Sequence, residues 1–184
     1  MKILRLLLPL LLLAGCSMWQ RVDPPHAEAK AAAFTVQLPL GWMRFRPESD
    51  DIALTLDGFD LNHIEITHRA LEKAYPRLKK PAKPAMLPSE LAELQIAEEK
   101  TGAKERVILV KDNAPALLAD QAAYRLHLGY KNERGLMFDK IVYGLVLANG
   151  YYTLSYSAPA LYYSARDMPT FEQTVASFKP NARP

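Results

Sequence analysis

Histidine and carboxylate side chains at alternating positions are the residues of this sequence best suited to bind a metal ion or move a proton. His63 and Glu65 are separated by one residue in a strand-like run, so an imidazole and a carboxylate share one strand face. His127 has the polar parity of another predicted strand and would approach His63 if the two strands were neighbours, whereas His68 falls on the opposite face. These side chains are common ligands of transition metals and common general acids and bases.

Nucleophilic and phosphate-binding motifs do not accompany these residues. The sequence contains no Gly-x-Ser-x-Gly, and its eight glycines are scattered at turn positions rather than grouped in a phosphate-binding loop. Serines occur at a predicted helix start, on a strand and in a polar segment, at Ser89, Ser155, Ser157 and Ser164. We therefore expect a protein that is not an enzyme and has no cofactor or metal. The alternative is a hydrolase or metal-binding protein that uses His63, Glu65 or His127.

The composition excludes several other classes of protein. The chain has 184 residues, of which 49% are hydrophobic and 23% are charged, as in an ordinary globular domain and unlike a disordered or multi-pass membrane protein. The single cysteine excludes a disulfide framework and a cysteine-built zinc site. A formal net charge of +3 is too small to indicate a nucleic-acid partner.

The first residues have the pattern of a bacterial export signal. Lys2 and Arg5 precede the apolar run 6–14, which is too short to span a bilayer and is followed by small residues. The run ends in a match to the lipobox of bacterial lipoproteins, Leu13-Ala14-Gly15-Cys16. This resemblance implies that a signal peptide of residues 1–15 is removed. It also implies that the Cys16 thiolate receives a diacylglycerol and that the new amino group is acylated, for example by palmitate.

The predicted lipid on Cys16 determines where the protein is expected. Each buried acyl methylene contributes about 0.8 kcal/mol, so two or three chains hold a protein on a membrane almost permanently. Ser17 follows the cysteine, and in Gram-negative lipoproteins a residue other than Asp at this position permits transport to the outer membrane. We therefore expect a lipid-anchored envelope protein at the periplasmic face of the outer membrane. Signal cleavage removes two of the 23 basic residues and leaves the mature chain close to neutral.

A basic segment rich in proline is a second candidate contact surface. Prolines at positions 76, 81, 84 and 88 prevent regular structure, which predicts an exposed loop over 76–88. The cations of this loop are Arg77, Lys79, Lys80 and Lys83. They can attract anionic lipid head groups or an acidic partner, and the alternative is a solvated loop without a partner.

Tyrosines near the end of the chain are a third candidate. They are Tyr151, Tyr152, Tyr156, Tyr162 and Tyr163. Tyrosine joins an apolar ring to a polar hydroxyl, so such a cluster suits either a binding surface or the seam between a sheet and its covering helix. Tyr151, Tyr162 and Tyr163 are the candidate binding surface, and a partner groove is expected there if two or more rings are exposed.

Alternating apolar residues and turn signals predict the elements that position these groups. Strands are expected at 34–38 and 42–46, and the runs 52–56 and 59–67 should pair through a two-residue turn at Asp57-Gly58, with Ile64 and Ile66 facing the core. A helix capped by Ser89 is expected over 90–101. Further strands are predicted at 106–110, 124–130, 136–148 and 151–157, with a hairpin turn at Asn149-Gly150 and a final helix over 167–178.

Together these elements predict an α+β fold with a mainly antiparallel sheet covered by helices. The sequence resembles bacterial PsbP-like domains, which implies an α/β/α sandwich and an accessory or binding role. The resemblance is carried by Phe34-x-Val36-x-Leu38-Pro39-x-Gly41-Trp42, by Leu54-Thr55-Leu56-Asp57-Gly58, by Leu61-x-x-Ile64-x-Ile66, by Gly150-Tyr151-Tyr152-x-Leu154-x-Tyr156 and by Phe171 to Phe178.

These observations predict the organisation of the chain and its function. The expected parts are a signal peptide (1–15), a lipidated N-terminus with a flexible tether (16–33), one PsbP-like domain (34–178) and a C-terminal tail (179–184). We expect a membrane-anchored, non-catalytic envelope lipoprotein that binds an unidentified envelope protein or small component. The alternative is an envelope hydrolase or a metal-binding protein.

Overall fold

An eight-stranded antiparallel sheet forms the centre of the protein in a computed structural model, which describes residues 18–103 and 106–181. The strands in chain order are β1 (Trp19–Arg21), β2 (Glu28–Lys30), β3 (Phe34–Gln37), β4 (Met43–Phe45), β5 (Ile52–Thr55), β6 (His63–Arg69), β7 (Ile108–Leu118), β8 (Gln121–Lys131), β9 (Met137–Leu147), β10 (Gly150–Pro159) and β11 (Lys179–Pro180). The helices are α1 (Pro88–Gly102) and α2 (Tyr163–Ser177), with short 3-10 turns at Pro24–His26 and Leu71–Lys73.

The order of strands in the large sheet is β1-β4-β5-β6-β10-β9-β8-β7, and a small sheet has the order β11-β3-β2. Neighbouring strands are antiparallel throughout. The run 136–148, apolar at both parities, forms the internal strand β9 between β10 and β8, as its pattern predicts. The predicted α+β class and the mainly antiparallel sheet are confirmed, although the helices cover only part of the sheet.

One face of the large sheet is closed by α2 and the small sheet, and we call it the covered face. Side chains at alternate positions of β6 and β10 are fully buried there, among them Ile64, Ile66 and Leu154. Phe171 from α2 and Phe34 from the small sheet pack into the same core. Burial of this apolar surface is the main stabilising contribution to the fold.

The opposite face, which we call the groove face, is closed only in part. Helix α1 packs on β7, β8 and β9, where Leu91 and Ala92 are buried against Leu126 and Leu128. The adjoining parts of β6 and β10 carry polar residues and remain open on this face. The protein therefore has one sealed layer and one half-open layer on the same sheet.

The segment 18–33, predicted as part of a flexible tether, is folded into the protein. Trp19 pairs with Phe45 across β1 and β4, Ala29 pairs with Val36 across β2 and β3, and Val22 is buried. Strands β1 and β2 have three residues each, which is too short for a recognisable period in the sequence. The prediction of a tether over 18–33 is therefore wrong.

The predicted C-terminal tail is also partly folded. Lys179 and Pro180 pair with β3, and the Asn181 side-chain amide donates to the Ala31 and Ala32 carbonyls. A two-residue strand gives no sequence signal of its own. The folded unit therefore includes 18–33 and 179–181, which lie outside the predicted bounds of 34–178.

The turn after β5 is longer than predicted. Strands β5 and β6 pair antiparallel as expected, with Leu54 opposite Ile64, but 56–62 connects them instead of a two-residue turn. The reason is the buried side chain of Asn62, whose Oδ1 accepts from the backbone N–H groups of Leu56 and Asp57. The second hairpin is confirmed within one residue, since Gly150 pairs with Leu147.

Both helices begin earlier than predicted. Helix α1 starts at Pro88 rather than after a Ser89 cap, and the Glu90 carboxylate accepts from the Leu87 backbone N–H at 2.7 Å. Proline suits the first helical position because the N–H it lacks has no intrahelical partner there. Helix α2 starts at Tyr163, one turn before the predicted residue 167.

Candidate functional site

A polar groove lies on the groove face between α1 and the open parts of β6 and β10. It consists of two adjoining hollows of about 160 and 200 Å³ that share Arg77, Glu99 and Lys140. The polar groove is lined chiefly by His63, Glu65, Thr67, Arg69, Glu98, Glu99, Arg77, Lys140, Thr153, Ser155 and Ser157. Strand alternation explains this lining, because the apolar residues of β6 and β10 point into the covered face and leave the polar ones on the other side.

Carboxylates of α1 organise the wall of the polar groove. The Lys140 ammonium donates to Glu99 at 2.7 Å, and Glu99 also accepts from the Gln95 amide at 2.9 Å. Glu98 is buried and accepts from the backbone N–H groups of Arg77 and Leu78 at 3.0 and 2.9 Å. The ion pair between Lys140 and Glu99 neutralises two of the groove charges, and the contacts of Glu98 fix the start of the basic loop against α1.

His63 is held in one orientation at the end of the polar groove. Its Nδ1–H donates to the Phe59 carbonyl at 3.0 Å, which leaves the lone pair of the neutral ring on Nε2. Burial lowers the pKa of His63, and the nearby Glu65 carboxylate offsets part of that effect. The imidazole is therefore favoured in its neutral form, as a hydrogen-bonding or ligating group.

The groove serine nearest His63 is not presented as a nucleophile. Ser157 lies directly opposite His63 across β10 and β6, but its side chain is buried, with the residue only 1% exposed. Its hydroxyl shares a hydrogen bond of 2.8 Å with the Tyr130 hydroxyl. An activated serine requires a hydrogen bond to a base and access for a substrate, and this arrangement gives Ser157 a structural partner instead.

The histidines do not converge, contrary to the possibility that His127 approaches His63. Strands β10 and β9 separate β6 from β8, and His127 faces the covered side, where it contacts Asp139 at 2.9 Å. His68 contacts the Asn149 carbonyl at 3.0 Å. Among residues 18–103 and 106–181, no three His, Cys, Asp or Glu side chains lie close enough to hold a metal ion.

Asp139 is a hydrogen-bonded carboxylate on the covered side. Burial by itself raises the pKa of Asp139, but hydrogen bonds from Lys111, His127 and Ser164 outweigh burial and hold the pKa below its ordinary value. The Lys111 ammonium approaches to 2.5 Å by crossing over Gly129, where any side chain would collide with it. This cluster ties β7, β8, β9 and α2 together rather than forming an open site.

The basic loop is divided between the groove and the solvent. Arg77 lines the polar groove, with its guanidinium packed over Gly102, where a Cβ atom would lie only 2.6 Å from it. Lys79, Lys80 and Lys83 are exposed. Contrary to the prediction of an irregular loop, Tyr75 and Lys80 pair through their backbones in a small closed turn.

The tyrosine cluster is mostly core, and Tyr151 lines the polar groove but is only 1% exposed. Tyr151 is buried on the groove face, where its hydroxyl shares a 2.5 Å hydrogen bond with Tyr124 and donates to Gln95 at 3.1 Å. Burial raises the pKa values of Tyr124 and Tyr151 well above the ordinary value. Tyr152 and Tyr156 are likewise buried, on the covered face.

Only one ring of the candidate tyrosine surface is exposed. Tyr162 is 62% exposed, whereas Tyr163 is half-buried. The Arg166 guanidinium lies over both rings, at 5.5 and 4.8 Å from their centroids. These contacts occupy ring faces that a partner would otherwise use, so the condition set for a partner groove at this loop is not met.

An aromatic patch next to the polar groove was missed by the sequence analysis. It consists of the half-buried rings of Trp19, Phe45 and Phe59. The Trp19 ring centroid lies 5.0 Å from that of Phe45 and 5.3 Å from that of Phe59, and the two phenylalanine centroids are 6.1 Å apart. Phe59 also lies 5.8 Å from the His63 ring, so the patch and the polar groove are continuous. The alternation Met43-Arg44-Phe45 indicates that Phe45 lies on one face of a strand. Its neighbour Trp19 is not predicted because it falls within the predicted tether 16–33.

Cys16 and the predicted signal peptide 1–15 lie outside the described residues. Within the part of the chain that the structure describes, no helix is both long enough and apolar enough to cross a membrane.

Comparison with known proteins identifies the fold. No family model and no curated protein matches the sequence. The solution structure of cyanobacterial PsbP (CyanoP) from Synechocystis sp. PCC 6803 is similar, with a TM-score of 0.58, 11% identity and coverage of 91% of this chain and 95% of that one. The crystal structure of the Saccharomyces cerevisiae Ran-binding protein Mog1p is similar with a TM-score of 0.53, 11% identity and coverage of 88% and 94%. The predicted PsbP-like fold is therefore confirmed.

Proposed function

We propose that the protein is a lipid-anchored protein of the bacterial envelope whose PsbP-like domain binds another component without catalysing a reaction. The observation that supports the binding role is the polar groove, where α1 leaves the polar side of β6 and β10 uncovered. A groove with paired charges, exposed charged side chains at Glu65 and Arg69 and an oriented imidazole suits recognition of a polar partner by hydrogen bonds.

The likeness to Mog1p supports a protein partner. Mog1p is a Ran-binding protein and has the same fold over most of both chains. At 11% identity this likeness carries no residue-level correspondence, so the location of the binding surface is argued from this chain alone. We place it at the polar groove rather than at the tyrosines, because only Tyr162 among the candidate tyrosines is exposed.

The anchoring part of the proposal is supported by the sequence. Cys16 is the only cysteine of the chain, ends a match to the lipobox and follows an apolar run with a positively charged start. Ser17 in the following position favours transport to the periplasmic face of the outer membrane. The lipid-bearing residue stands two positions before Met18, where the described fold begins.

The anchor is tested by replacing Cys16 with Ala in the full-length protein expressed in a Gram-negative host. We expect the wild type to incorporate an alkyne-labelled fatty acid and to fractionate with outer membranes, whereas Cys16→Ala loses the label. The matched control is Ser17→Ala, which keeps the thiol and should keep the label. Equal labelling of wild type and Cys16→Ala would contradict the anchor.

The binding surface is tested by photo-cross-linking in native membranes. A photoreactive residue at the exposed groove position Glu65 should give a defined cross-linked species, and one at the exposed position Ala176 of α2, on the other side of the sheet, should not. The charge reversal Arg69→Glu, also in the polar groove, should abolish the species obtained from position 65. Cross-linking that is equal at both positions, or insensitive to Arg69→Glu, would contradict binding in the groove.

A further inference from the structure

The aromatic patch lies next to the residue that we propose carries the lipid. Trp19 follows Cys16 by three positions, and three extended residues span at most about 11 Å. The head-group region that an interfacial segment enters is about 5–10 Å deep. A lipidated Cys16 therefore confines Trp19 to the immediate neighbourhood of the membrane surface.

From Met18 onward, the chain is fixed to the domain and does not act as a flexible tether. The Met18 carbonyl accepts from the Arg46 backbone N–H at 2.7 Å, and Trp19 to Arg21 pair with β4 in regular antiparallel register. The Val22 N–H then donates to the Trp42 carbonyl at 2.8 Å. Because the pairing begins so close to Cys16, the membrane constrains the orientation of the whole sheet.

The residues around Trp19 have the character of a membrane interface. Met18 is 53% exposed, and the rings of the aromatic patch are half-buried rather than sealed. The exposed Arg46 lies 5.1 Å from the Phe45 ring, and the exposed Arg21 shares a strand face with Trp19. Tryptophan and arginine join an apolar body to a polar or charged end, which suits the layer between acyl chains and water.

We propose that the aromatic patch lies against the head groups of the membrane that holds the anchor, so that the domain is kept in one orientation. This inference depends on the proposed lipidation of Cys16. The occupant of the patch is the phospholipid surface itself, because the sequence distance from Cys16 brings that surface to Trp19. Since Phe59 contacts His63, the polar groove then begins beside the bilayer.

The protein contains its own probe for this contact. It has two tryptophans, Trp19 in the aromatic patch and Trp42, which is 3% exposed. The full-length lipidated protein is placed in vesicles of phosphatidylethanolamine and phosphatidylglycerol, with or without a brominated phosphatidylcholine that quenches nearby indole emission. Trp42→Phe leaves Trp19 as the reporter, and Trp19→Phe leaves Trp42 as the matched control.

We expect the brominated lipid to reduce Trp19 emission at least twofold and to leave Trp42 emission nearly unchanged. The wild type contains both reporters, so the Trp19 contribution is also obtained by difference from Trp19→Phe if Trp42→Phe folds poorly. If Trp19 is not quenched in protein that floats with the vesicles, the proposed orientation is wrong although the lipid anchor is present. If the intact mass shows that the protein carries no lipid, both the anchor and the orientation that depends on it are wrong.

The basic loop is the competing membrane contact, and the same assay decides between the two. Replacing Lys79, Lys80 and Lys83 together by Gln should leave the quenching of Trp19 unchanged if the aromatic patch meets the lipid. Loss of quenching in this variant, with flotation retained, would show that the loop orients the domain and would overturn the proposal.

Discussion

The two faces of the large sheet are built from the same strands and yet differ in what they bury. The covered face is sealed by α2 and the small sheet over apolar side chains such as Ile64 and Leu154. The groove face is sealed by α1 only over β7, β8 and β9, and elsewhere it presents His63, Glu65 and Ser155. The covered face thus buries the larger apolar cluster, and the groove face leaves polar side chains beside α1, where we propose that a partner binds.

The difference shows how a polar surface can be placed on a strand without weakening its core. Residues of β6 alternate between the two faces, so Ile64 and Ile66 pack inward while Glu65 remains exposed. Substitutions of equal size should therefore have large effects on stability on the covered face and small effects on the groove face. The predictions below test that contrast.

The largest expected effect is that of Phe171→Ala on the covered face. Phe171 is fully buried and stacks on Tyr156 at 5.7 Å, so its truncation leaves a cavity in the main core. We expect a loss of about 3–5 kcal/mol in the free energy of unfolding, measured by urea denaturation of the domain. The control Leu161→Ala, at a residue that is 92% exposed, should change the free energy of unfolding by less than about 0.5 kcal/mol.

A smaller but still large loss is expected for Asn62→Ala, also on the covered side. The buried Asn62 amide donates to Asp57 at 3.0 Å and to Asp167 at 2.7 Å, and its carbonyl accepts two backbone N–H groups of the loop. Removing the side-chain amide leaves the backbone N–H groups of Leu56 and Asp57 without their acceptor and takes one donor from the buried Asp167, which should cost about 2–3 kcal/mol of unfolding free energy. Thermal or urea unfolding that matches the exposed control Asp60→Ala would contradict this role.

Asn62 also illustrates what the sequence could and could not predict. Alternation in β6 and β10 predicted strand positions, and Ile64 and Ile66 were assigned correctly to the core, because a period of two reports one buried face. The turn at Asp57-Gly58 was predicted too short, because a side chain that bonds distant backbone groups leaves no periodic signal. The same limit applies to its partner Asp167, which is remote in sequence.

The candidate site was predictable only in part. His63 and Glu65 were correctly placed on one strand face, and Arg77 was identified within the basic loop, because local spacing is enough for such assignments. The separation of His127 from His63 depends on the strand order, which sequence spacing does not contain. Trp19 was missed because a three-residue edge strand is recognised only through its partner β4.

On the groove face, Tyr151→Phe should cost less than either change on the covered face. The substitution preserves the ring and removes only the hydroxyl, which is bonded to Tyr124 and Gln95. The loss of these two hydrogen bonds, to partners that stay buried, predicts a loss of about 1–2 kcal/mol in the free energy of unfolding, measured by urea denaturation. Glu65→Gln, at an exposed groove position, is the matched variant and should lie within about 0.5 kcal/mol of the wild type. A loss for Tyr151→Phe as large as that for Phe171→Ala would show that the two faces contribute equally.

The smallest effect is expected at His63, where it appears only as a dependence on pH. Burial lowers the pKa of His63 below the ordinary value of 6.5, so the unfolded chain takes up a proton at a higher pH than the folded protein. Folding stability is therefore unaffected by this group above about pH 7 and falls as the pH drops from about 6.5 towards the lower pKa of the folded protein. His63→Gln should remove this pH dependence, which amounts to less than about 1 kcal/mol in the free energy of unfolding. The measurement is the melting temperature of both proteins between pH 7.5 and 5.

The neighbouring carboxylate gives this last prediction a sharper form. Glu65 raises the pKa of His63 and so offsets part of the burial effect. Glu65→Gln keeps the imidazole but removes that offset, so its melting temperature should fall more steeply below pH 6.5 than that of the wild type, whereas the fall for His63→Gln should be shallower. Equal slopes in all three proteins would mean that the His63 ring is already solvated, and the groove face would then be more open than the contact with Phe59 implies.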